Sequence, residues 1–140
     1  MARNYIVIGT IPVAKIININ KYRSTSEQIP IASDLNVVVD IVWFTEHIDL
    51  HYPCITKAEA IDKVKRIIKN ANHFFYGIKK KGVLYIEMNS TNKEILIVKY
   101  NKKQNNFRGD TAYQFSSLKL VQLVSSKDVF NISLREHFVH

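Results

Sequence analysis

The chain has 140 residues, 46% of them hydrophobic, with a net charge of +8 and a sequence pI near 9.6. That is the length of one domain able to bury a sizeable core, and the composition excludes a disordered or collagen-like chain. One cysteine, Cys54, excludes an internal disulfide, and no apolar run approaches the roughly 20 residues that span a bilayer.

In chain order, Tyr5 to Ile11 is a strand candidate rich in β-branched residues. Pro12 interrupts it, and Val13 to Tyr22 resumes with Asn18 and Asn20 alternating against isoleucines, the pattern of a strand with one wet face. Residues 23–35 read as a long loop. Asn36 to Phe44 is the strongest strand, near-continuously apolar and therefore central, with Asp40 expected to face solvent.

Thr56 and Glu59 form a T-x-x-E capping box at the start of a helix over 57–72, extending to Phe75. Ile61, Val64, Ile68, Ala71 and Phe75 recur at spacings of three and four, Lys65, Lys69 and Asn72 take the opposite face, and Gly77 is the stop. Gly82–Met88 and Glu94–Tyr100 read as a β-hairpin across a turn-rich link. Asn101 to Asp110 is a polar, basic loop. Ser117 to Val124 fits strand and helix equally. Ser125 and Asp128 would cap a short last helix carrying Phe130, Leu134 and Phe138. No repeat or linker divides the chain. The expected class is a single α+β domain over residues 1–140: a mostly antiparallel β-sheet, one main amphipathic helix (about 57–75) and a short C-terminal helix.

Charge is uneven along the chain. Residues 24–56 hold no Lys or Arg but carry Glu27, Asp34, Asp40, Glu46 and Asp49, whereas residues 57–81 carry a net +6. A concentrated basic surface attracts polyanions through counterion release and long-range steering. The candidate nucleic-acid site is therefore Lys65, Arg66 and Lys69, then Lys79, Lys80 and Lys81, with Tyr76 as a ring on which a base stacks. Lys102, Lys103 and Arg108 extend it through the following loop. The expectation requires these cations to share one exposed surface instead of being scattered or neutralised locally.

Other chemistry finds less support. His47, His51 and Cys54 have the spacing of metal ligands, but Pro53 argues against a helix there and no second cluster completes four ligands. With four glycines, no phosphate-cradling Gly-rich motif occurs. No metal, cofactor or catalytic residue is expected. His47, His51 and His73 leave a small ribonuclease or toxin as a third-ranked reading.

The first reading is a small basic, non-catalytic binding protein that engages nucleic acid or a nucleoprotein complex. The second is an inhibitor or interaction protein of a phage or mobile element, docking on an acidic host protein. Ile (19), Lys (15) and Asn (12), all with A/T-rich codons, point to an A/T-rich genome for its gene. The residues after Met1 form no apolar segment of signal-peptide length, so a cytoplasmic protein that engages no membrane is expected.

Overall fold

The computed structural model describes residues 4–48, 52 and 56–133. The elements are β1 (Tyr5–Ile11), α1 (Val13–Asn20), β2 (Leu35–Asp40), α2 (Ile41–Ile48), α3 (Lys57–Asn70), β3 (His73–Gly77), β4 (Gly82–Met88), β5 (Lys93–Asn101), β6 (Asn106–Gln114), α4 (Ser117–Val124) and β7 (Val129–Asn131). They build an α+β protein around one seven-stranded sheet, ordered β1-β2-β6-β5-β4-β3-β7. Strands β3 to β6 form a meander, β7 joins its β3 edge, and the antiparallel β1–β2 pair joins its β6 edge. The β2–β6 contact is parallel, so the sheet is mixed, though mostly antiparallel as expected.

Residues directly opposite in a ladder share a face, so the register assigns each side chain. Val37 opposes Phe107, Tyr100 opposes Phe107, and Val83 opposes Val98. Helices α1, α2 and α3 bury this first face with Ile16 and Ile19, Phe44 and Ile48, and Ala60, Ile61, Val64 and Ile67. Gly109 belongs to it: a Cβ there would lie 2.6 Å from Val39 Cγ1, so only glycine lets β6 carry Phe44 and β2 this closely. On the second face Phe75, Leu84, Ile86 and Ile95 pack under Leu120 and Leu123 of α4. Among the described residues, no helix packs over the rest of that face, toward β1.

The described residues form four helices where one main helix and a short C-terminal one were expected, for identifiable reasons. The isoleucine-rich run after Pro12 is α1, not a strand. Asp34 Oδ1 accepts the Val13 N–H at 3.0 Å, capping the helix from 21 residues away, and Ile16 and Ile19 face the core at helical spacing. The strand proposed for 36–44 stops at Asp40, whose Oδ1 accepts from the N–H groups of Val42 and Trp43, both at 3.2 Å. This is an N-cap. Asp40 is therefore buried, 7% exposed, and not the solvent-facing side chain expected.

The capping box at Thr56 and Glu59 is present. The helix it opens ends at Asn70, so Phe75 and Gly77 lie in β3 and not on the helix or at its stop. The hairpin of β4 and β5 matches its expected position. Most of the stretch read as a basic loop is strand: only residues 102–105 turn, with Asn105 at φ 51°, and β6 follows. Ser117–Val124 is helical, capped by Ser116. Phe130 lies in β7, not on a last helix; Leu134 and Phe138 lie outside the described residues. Among the described residues, no helix is long and apolar enough to cross a membrane.

One core group carries a measurable consequence. Lys15 is 7% exposed, with Nζ 3.1 Å from the centroid of the Phe74 ring. Burial lowers its pKa from 10.5 to about 8. The folded form thus releases this proton before the unfolded form does, so stability rises with pH between those values. Urea melts at pH 7.5 and 9.5 should show a gain of about 2 kcal/mol that Lys15→Met lacks. Above pH 10 the phenols of Tyr85 and Tyr113, both raised by burial, work in the opposite direction.

Candidate nucleic-acid interface

The basic residues proposed from sequence divide between the two sides of the sheet. Lys65 and Lys69 are exposed on α3, on the first face. Arg66 is on the same helix but turns inward. Its Nε donates to Glu87 Oε1 at 3.0 Å, and a second guanidinium nitrogen pairs with Glu94. Glu87 and Glu94 sit opposite each other on β4 and β5 and are 1% and 2% exposed. Lys63 Nζ and the Tyr52 hydroxyl also donate to Glu94, at 3.1 and 2.8 Å. Burial disfavours the Arg66 charge, but hydrogen bonds and attraction from the two carboxylates outweigh it and raise the guanidinium pKa. Burial, with Glu94 beside it, likewise pushes the Tyr52 phenol up. This is an ion network under α3, and it ties Arg66 to two buried carboxylates.

Of two further candidates, one is enclosed and the other makes an exposed ion pair. Tyr76 is 1% exposed, and its hydroxyl accepts from Arg23 at 3.0 Å; a ring so enclosed offers no face to a base. Lys81, at φ 55° in the β3–β4 turn, pairs with Glu27 at 2.6 Å. The cations of 57–81 therefore do not converge on one surface. Three of the acidic residues before them are engaged separately. Glu27 pairs with Lys81, while Asp34 and Asp40 cap helices.

The remaining candidates do meet, on the part of the second face that α4 leaves open. Tyr5 opposes Asp40, Val38 opposes Arg108, and Arg108 opposes Lys99, which places these side chains on that face. A cleft of about 660 Å³ opens between the first turn of α2 and the β5–β6 hairpin. Lys99, Lys102, Lys103 and Arg108 line it, together with Asp40, Trp43, Tyr100 and Asp110. A second hollow of about 450 Å³ adjoins it through the shared Lys99 and Asp110, and adds Lys79, Lys80 and Asp128.

Six cations thus stand against three carboxylates across the two hollows. One carboxylate, Asp40, caps α2, and another, Asp110, lies 3.6 Å from Lys99 in an exposed pair of the kind that contributes little. Arg108 carries no ion pair among the described residues. Its guanidinium lies 4.9 Å from the Tyr5 ring, and its buried Nε has no hydrogen-bond partner there.

Lys99 and Trp43 were not singled out from the sequence. Lys99 alternates within an apolar strand, and only the register with Arg108 shows which way it faces. Trp43 sat inside the segment read as a central strand. Of the histidines, His47 stacks on Trp43 with ring centroids 4.9 Å apart, and His73 begins β3. His51 and Cys54 lie outside the described residues, and among those described no group of three or more His, Cys, Asp or Glu is placed to hold a metal. No family model, curated protein or solved structure matches the chain.

Proposed function

We propose that the chain is a small basic, non-catalytic protein that binds nucleic acid, alone or within a nucleoprotein complex in the cytoplasm, through the cationic cleft of the β5–β6 hairpin. The observation that carries this reading is the gathering of Lys79, Lys80, Lys99, Lys102, Lys103 and Arg108 around two adjoining hollows on an open sheet face. A cleft lined by one sign of charge focuses the field on a polyanion. Phosphate contacts then supply affinity without requiring base-specific readout.

The test is binding of RNA and DNA oligonucleotides across a salt series. Four phosphate contacts predict a log–log slope of about −3 to −4. Absence of salt-sensitive binding to either nucleic acid would remove the proposal. In that case recovery of an acidic host protein by the same cations would favour the second reading, an inhibitor encoded by a phage or mobile element.

A further inference from the structure

We infer that the cleft is built for single-stranded nucleic acid, with an unpaired base stacking on Trp43; this rests on the polyanion reading of the same cleft. Trp43 is the chain's one tryptophan and is 43% exposed, although Phe44 beside it is fully buried. It is not a loosely held ring. Its backbone N–H is fixed by the Asp40 cap, and the His47 imidazole lies against the indole with an interplanar angle of 11°. The indole thus has a rigid backing and lines the cleft among Lys99, Lys102, Lys103 and Arg108.

An aromatic platform beside cations that track a backbone is the working combination of single-strand binders. Stacking accepts any base, because every base has a π-face. A duplex keeps those faces covered by neighbouring base pairs and presents only phosphates and groove edges, which Trp43 cannot stack upon. The hollow, about 660 Å³, is a concavity for a nucleotide or two and not for a double helix, whose major groove alone is about 12 Å wide. Along β6, the side chains of Asn106, Arg108 and Thr111 each carry a buried polar atom without a partner among the described residues: Oδ1, Nε and Oγ1. A buried polar atom left unpaired is costly. A strand of nucleotides lying on this strip brings donors and acceptors within reach of side-chain rotations there.

The single tryptophan makes the experiment direct. Titrations with oligo(dT) and oligo(U) should quench Trp43 emission, whereas inorganic polyphosphate and a duplex of equal charge should bind more weakly and leave the emission unchanged. Trp43→Leu should weaken oligo(dT) binding about tenfold, measured by anisotropy of a labelled strand, with the salt slope retained; Trp43→Phe should recover part of the loss. Far-UV circular dichroism of each variant confirms that it is folded. Oligonucleotide binding without quenching, an unchanged affinity in Trp43→Leu, or a duplex that binds and quenches equally well would each overturn the inference while leaving the cationic cleft in place. Failure of every polyanion to bind would overturn the underlying reading itself.

Discussion

Replacing Arg66 by methionine should destabilise the protein by about 3–5 kcal/mol, the usual cost of stranding buried charge. Glu87 and Glu94 are almost fully enclosed and face each other across β4 and β5. Like charges directly opposite in a ladder repel, and among the described residues Arg66 is the one group that bonds both. Without it, among the described residues, Glu94 retains Lys63 and Tyr52, whereas Glu87 retains the side-chain amides of Asn89 and Asn92 at 3.4 and 3.3 Å. Against a total stability of roughly 5–15 kcal/mol, such a loss is a large share. The expected fall in Tm is about 10–15 °C. The variant Arg66→Met with Glu87→Leu and Glu94→Leu should recover most of it, since no carboxylate is then left buried. A fall of under about 3 °C in Arg66→Met would show that the network does not carry this burden.

The second large effect concerns binding. Exchanging Lys99, Lys102, Lys103 and Arg108 together for glutamine should lower nucleic-acid affinity about a hundredfold or more at low salt and flatten the salt slope by about 3. These side chains are partly or fully exposed, and the one ion pair they make among the described residues is the loose contact of Lys99 with Asp110. Stability should therefore change little. The comparison variant is Lys65→Gln with Lys69→Gln. Those lysines lie on α3, across the sheet from the cleft, and their loss should change affinity less than about twofold. Equal losses in the two variants would mean a diffuse charge effect and no cleft.

The contrast between these two sets shows how far sequence reasoning reached. Local signals were legible. The Thr56/Glu59 capping box works within four residues, and the β4–β5 hairpin is announced by two apolar runs across a polar turn. The other elements depend on distant partners. Helix α1 is capped by Asp34, which lies in a later loop, and so a run of isoleucines with strand propensity folds as a helix. Asn106–Gln114 has little β-branched character, yet it becomes a strand because β5 and β2 pair it from both sides.

The candidate site divided along the same line. Lys79, Lys80, Lys102, Lys103 and Arg108 stand out because clusters of cations are visible in any linear reading. Arg66, Lys81 and Tyr76 have partners that a linear reading does not show: Glu87 with Glu94, Glu27 and Arg23 lie 21 to 54 residues away in the chain. Lys99 and Trp43 were missed because neither stands in a cluster.

The sequence by itself determined that this is a basic α+β chain with a substantial core, one capped amphipathic helix and a hairpin. Each of those follows from composition or from spacings within a few residues. Only the tertiary structure decided which cations are free to meet a ligand. Whether a charge is paired, buried or exposed is a property of where the sheet brings its carboxylates, and two residues on adjacent strands can be far apart in the chain.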